Sequence, residues 1–186
     1  MTRLRTQRPC MVLAGCTIAF AIASVAPAHS QEISRPCAAA VGSFLTVNTF
    51  GSDKQAESRS LLAFTNGGHA FRFDSDETKA ALDRRTFGDS LGRWRCDGVD
   101  GDGVVRLTTT MLDFTFAGSG GKTSQIVRLD ASGRYAPSTG TLVLEGKLHF
   151  LPADTDAVEP DAAGSAEGSS VAITLTGKRI ALPPAP

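Results

Sequence analysis

The chain of 186 residues has three histidines, four cysteines and one tryptophan, and these bound the chemistry open to it. His29 lies in a leader-like segment, which leaves His69 and His149. His149 alternates with Glu145 and Lys147, so it belongs to a polar strand face and points to solvent. His69 follows Asn66-Gly67-Gly68 and shares parity with Phe71 and Phe73. It is therefore the histidine best placed for acid–base work beside an apolar wall. Two histidines on separate segments make a poor zinc site or triad, and no C-x-x-C, HExxH, phosphate loop or nucleophile elbow occurs. The expectation is no metal, no cofactor and no recognisable catalytic machinery.

The run Asp97-Gly98-Val99-Asp100-Gly101-Asp102-Gly103 invites a calcium reading. Asp100, Asp102 and Gly103 fit the third, fifth and sixth places of a calcium loop, but Gly98 and Thr109 stand where the first and last carboxylates belong. A hairpin turn is the better reading, because Asp-Gly pairs supply turn geometry. Asp154, Asp156, Glu159, Asp161 and Glu167 fall in a linker, 152–168, with no apolar period. Carboxylates there lack the fixed separation that acid–base catalysis needs.

Cys10 and Cys16 sit near the N-terminus, while Cys37 and Cys96 lie in the body of the chain. The latter two are expected to form one disulfide in an oxidising compartment, stabilising the fold by ~4 kcal/mol. That bond ties the N-terminal arm to a strand containing Trp94.

Arg3, Arg5 and Arg8 precede an apolar stretch, Met11–Val25, and then Ala26-Pro27-Ala28-His29-Ser30. Charged, apolar and small residues in that order predict a cleaved secretory signal over 1–30 and a secreted or periplasmic protein. The stretch is shorter than a membrane span of ~20 residues, and no second one follows. Leu13-Ala14-Gly15-Cys16 has the shape of a lipoprotein box, so anchoring at Cys16 is the minor alternative. Losing the three arginines leaves 16 basic residues against 19 acidic ones. A mildly acidic surface offers no footprint for nucleic acid.

The remaining sequence alternates with period two between Gly, Asn, Asp and Ser turns. Eight strands are predicted, near 41–49, 59–65, 69–74, 91–97, 104–116, 123–129, 141–151 and 169–180. Asp130-Ala131-Ser132-Gly133 is read as the turn after the sixth. Asp76–Arg85 is the one short helix expected. The predicted architecture is all-β: an eight-stranded antiparallel up-and-down barrel with an arm at 31–38, a barrel domain at 39–180 and a frayed tail at 181–186. A β-sandwich is the alternative.

Parity then sets the core. Leu142, Leu144, Leu148 and Phe150 share a face, as do Leu62 with Phe64, Val171 with Ile173 and Leu175, and Trp94 with Gly92 and Cys96. Leu112, Phe114 and Phe116 form one face of the fifth strand while Val105 and Leu107 lie opposite, so a bulge near Thr108–Thr110 is expected. On this reading His69, Phe71, Phe73, Trp94, Phe114, Leu144 and Leu148 line any internal cavity.

Gly42-Ser43-Phe44 opens the first strand where lipocalins carry Gly-x-Trp, and Thr176-Gly177-Lys178-Arg179-Ile180 closes the last where a lipocalin arginine packs across that aromatic. With Leu61-Leu62-Ala63-Phe64-Thr65, Gly92-Arg93-Trp94 and Gly140-Thr141-Leu142-Val143-Leu144 between them, the chain resembles uncharacterised secreted bacterial proteins with a lipocalin-like (calycin) barrel. The resemblance implies that Phe44 and Arg179 close the barrel base, and that a small apolar ligand lies within. Two other functions stay open at this point: an isomerase or cyclase of barrel type using His69 and an inward polar residue, and a structural or partner-binding module of the cell envelope. A barrel alone does not choose among them.

Overall fold

Period-two alternation becomes strand along nearly the whole of the chain that is described, residues 33–51, 56–74, 86–116, 124–158 and 169–181 of a computed structural model. The expected signal with Cys16, the helix at Asp76–Arg85 and the segment 159–168 lie outside those residues. The strands are β1 Gly42–Phe50, β2 Ala56–Phe64, β3 His69–Asp74, β4 Thr86–Phe87, β5 Ser90–Val99, β6 Val105–Phe116, β7 Gln125–Ala136, β8 Thr141–Pro152 and β9 Ser169–Arg179. All pairings are antiparallel. β9 pairs back onto β1, and β6 pairs with both β5 and β7, so eight strands close into an up-and-down barrel. The two-residue β4 continues the line of β5 along the end of β6. Closure leaves no long sheet edge open to pairing with another chain.

The two ends of the barrel differ. The base carries the tight turns at 65–68, 100–104 and 137–140. The opposite end, the mouth, is where β1, β3, β6 and β8 end at Phe50, Asp74, Phe116 and Pro152 and where β2, β7 and β9 begin at Ala56, Gln125 and Ser169. A 3₁₀ helix, Arg35–Ala40, packs at the base with Cys37 and Ala40 buried. Cys37 is bonded to Cys96 of β5, across 59 residues of sequence and with Cα atoms 6.0 Å apart. No helix among the described residues is long and apolar enough to cross a membrane.

The strands coil tightly where inward positions are glycine. A Cβ on Gly133 would lie 2.0 Å from the Val143 carbonyl oxygen, and one on Gly146 would lie 2.1 Å from that of Asp130. Only glycine lets β7 and β8 approach so closely. This corrects the turn expected at Asp130–Gly133. Those residues are mid-strand, bonded to β6 on one side and β8 on the other, and the chain reverses at Pro137–Gly140 instead.

Two further corrections concern which faces turn inward. On β3, Ala70 and Arg72 are buried, while Phe73 is 44% exposed. On β6, Val105, Leu107, Thr109, Met111, Asp113 and Thr115 are buried, and Phe114 is 61% exposed. The β6 register runs unbroken from Val105 to Thr115, so no bulge interrupts it. The irregularity falls on β5, between Cys96 and Gly98. The physical reason is that hydrogen-bonded partners in adjacent strands share a face. Phe64 is buried and pairs with Ala70, which sends Phe71 and Phe73 outward.

Candidate functional site

At the base the interior is a packed aromatic plug. Phe44 meets Tyr135 edge-on at 5.2 Å and Phe64 at 5.9 Å, and Phe64 stands 5.2 Å from Trp94. The Trp94 indole N–H donates to the Thr65 carbonyl at 2.9 Å, which satisfies its one polar atom. Arg179 is the register partner of Phe44. Its guanidinium lies 5.8 Å from the Tyr135 ring and donates to the Tyr135 hydroxyl at 3.2 Å, to the Ala39 carbonyl at 2.6 Å and to the Val41 carbonyl. The arginine and Phe44 thus both contact Tyr135, and the arginine tethers the N-terminal segment over the barrel end.

Towards the mouth the interior changes character. The inward positions of β1, β2 and β3 become Thr46, Asn48, Ser58, Ser60, Arg72 and Asp74. Thr46 Oγ1 lies 2.7 Å from Ser60 Oγ, and the Asn48 amide donates to Ser58 and Ser60 at 3.0 Å while accepting from Thr46 at 3.1 Å. Arg72, only 5% exposed, places Nε 3.4 Å from Ser60 Oγ and Nη2 2.8 Å from Asp74. A buried guanidinium is tolerable only with such partners, since an isolated charge out of water costs many kcal/mol.

Asp113 of β6 faces the same space. Its carboxylate accepts from the Gly88 N–H at 2.9 Å, from its neighbour Phe114 N–H and from the Ser90 hydroxyl at 3.3 Å. Burial nonetheless pushes its pKa up from 3.8 to about 6. The hydrogen bonds from Phe114 and Gly88 and the positive charge of Arg72 pull the other way, and the charge of Asp74 adds to the rise. Desolvation wins, and the carboxyl exchanges its proton close to neutral pH.

Register links these groups. Leu62, Arg72 and Ser90 are successive partners across β2, β3 and β5, and Asp113, Val127 and Phe150 are successive partners across β6, β7 and β8. The Ser90–Asp113 hydrogen bond joins the two rows. On the far wall stand Val127, Leu129, Leu148, Phe150 and Ile173, all buried, with Phe50 at the end of β1 beside Ile173. The mouth end of the interior is thus two-faced, with a polar wall on β1–β6 and an apolar wall on β7–β9.

Of the residues singled out in the sequence, Trp94, Leu144 and Leu148 are buried inside, with Trp94 in the base plug. His69, Phe73 and Phe114 are on the outer surface, and Phe71 is half-buried on the same outer face. His69 therefore does not meet the inward polar groups. His149 faces outward on β8. The turn residue Asp100 pairs with Arg106 at 3.0 Å and Asp97 with Arg95 at 2.8 Å. Among the described residues no group of three or more histidines, cysteines and carboxylates is placed to hold a metal. The residues missed are Thr46, Asn48, Ser60, Arg72, Ser90 and Asp113. The signal that finds them is register: counting back through the hairpin from buried Phe64 to Ala70 places Arg72 inside. No protein-family model, curated protein or solved structure matches the chain.

Proposed function

We propose that this chain is an exported binding protein of lipocalin type. Its barrel takes a small, mainly apolar molecule end-on through the mouth, with a polar end directed at Arg72, Ser60 and Asp113. The observation carrying this reading is the two-faced interior: hydrogen-bonding groups face Val127, Leu148 and Phe150 across the barrel. Binding sites for small molecules combine a largely apolar lining with a few placed polar groups. The Cys37–Cys96 bond is compatible with a compartment outside the cytoplasm, and the base closed by Arg179 leaves the mouth as the route in.

The test is native mass spectrometry of the protein recovered from its host, followed by titration of the oxidised protein with long-chain carboxylic acids, alcohols and amines. The expected result is a one-to-one complex weakened at least tenfold, as ~1.4 kcal/mol, by Ser60→Ala or Asp113→Asn. Outer-face His149→Ala should leave it unchanged. An empty protein that binds none of the three ligand classes overturns the reading.

A second reading is favoured by one observation, the buried Asp113 carboxyl that titrates at about 6 beside Arg72. A group with that pKa can take and return a proton at neutral pH, as an isomerase or cyclase requires. Turnover of a bound ligand, abolished by Asp113→Asn while binding persists, separates the enzyme from the carrier.

A further inference from the structure

The outer face of the barrel is not uniformly polar. Leu45 of β1, Leu61 of β2, Phe73 of β3, Leu91 of β5 and Phe114 of β6 are 44–61% exposed. They are not scattered. Leu45 pairs with Leu61, Leu61 with Phe73, and Leu91 lies between Phe71 and Leu112 in register. The side chains form one band across five strands. Together they leave on the order of 500 Å² of apolar surface in water, at the upper end of what a monomer carries.

We propose that the part of this band on β3, β5 and β6 is an interface with a second copy of the same chain, built around a two-fold axis at Leu91. Asp89, Leu91 and Arg93 point outward in succession along the β5 line, and all three are exposed. Neither Asp89 nor Arg93 forms an ion pair among the described residues. A two-fold axis lying in the interface and running across β5 sets the two β5 strands antiparallel. Leu91 then packs on its mate, and each Asp89 faces the mate's Arg93, twice over. An axis along β5 would instead set Asp89 against Asp89 and Arg93 against Arg93, so the charges select the antiparallel arrangement.

The neighbouring strands fit the same operation. Mouthward of Leu91 the flanking positions are Phe73 and Phe114. Baseward they are His69 and Thr110, the register partners of Arg93. The rotation lays each Phe73 over the mate's His69 and each Phe114 over the mate's Thr110, so both exposed rings are covered by flatter neighbours. A stable dimer buries about 800 Å² from each partner. Phe73, Leu91 and Phe114 form the apolar centre of such a patch, and Asp89, Arg93, His69 and Thr110 form its rim, while Leu45 and Leu61 lie farther round the barrel. This surface is independent of the barrel interior.

The experiment is sedimentation velocity of the oxidised protein across a concentration series, with Leu91→Arg, Asp89→Arg and Asp89→Arg/Arg93→Asp variants checked for β-sheet content by circular dichroism. A dimer is expected for the natural sequence, with at least tenfold weaker association for Leu91→Arg and Asp89→Arg and recovery in the double exchange. If Leu91→Arg fails to fold, the single and double charge variants decide alone. A monomer at every concentration, or a dimer indifferent to the charge variants, overturns the proposal.

Discussion

The base and the mouth of this barrel are made from the same alternating strands, yet they solve opposite problems. At the base, Phe44, Phe64, Trp94 and Tyr135 fill the cylinder, and Arg179 and the Cys37–Cys96 bond fix the N-terminal segment across it. The Trp94 indole N–H, the Tyr135 hydroxyl and the Arg179 guanidinium each have a direct local partner there. At the mouth, Arg72, Asp74 and Asp113 are buried charges or near-charges. An apolar set of similar shape would hold the fold as well or better. The contrast separates stability, concentrated at one end, from chemistry, kept at the other.

The largest effect that tests this division is at the base. Phe44→Ala removes the ring that touches both Tyr135 and Phe64, and should cost about 4 kcal/mol in urea unfolding. Ligand affinity per folded molecule should hold. A cost below about 1 kcal/mol would mean that the plug is loosely packed and the contrast false. Next comes Arg72→Met at the mouth, which removes the buried guanidinium paired with Asp74 and should cost about 3 kcal/mol. Arg72→Met/Asp74→Leu should recover more than half of that while abolishing ligand binding. Recovery of stability without function is the behaviour that distinguishes mouth from base.

The smallest effect concerns pH. Asp113 holds its proton more tightly folded, at about 6, than unfolded, at 3.8. The folded state therefore binds the extra proton between those values, and stability falls as pH rises from about 4 to about 7. A rise from 3.8 to about 6 corresponds to at most about 3 kcal/mol. Asp113→Asn should flatten this part of the curve, and the difference between variant and parent isolates it from other carboxylates.

How much of this was legible in the sequence follows the same line. The barrel, its strand count and the disulfide were readable, because alternation on β8 and β9 and around Trp94 has apolar residues inside and polar ones outside. The base pair Phe44 and Arg179 was readable only through resemblance. The polar wall was not read, for a specific reason. β3 and the upper half of β6 also alternate, but in the opposite phase, with Phe73 and Phe114 outside and Arg72 and Asp113 inside. Period two reveals that two faces differ and not which is the inner one. The assumption that the apolar face turns inward fails where the interior is built to be polar and the exterior to be covered. Register could resolve it, since Phe64 fixes Ala70 through a short hairpin. The expected turn at Asp130–Gly133 failed differently. A small, polar run supplied close strand approach at Gly133 where a reversal was read.

The most direct test of the division is a carbon-13 NMR titration of the Asp113 carboxyl in the folded, oxidised protein. A midpoint near 6, shifted downward in Asp74→Asn as the neighbouring negative charge is removed, is the predicted result. A midpoint near the ordinary 3.8, insensitive to Asp74, would place this carboxyl in water and leave the mouth with no desolvated chemistry to set against the base.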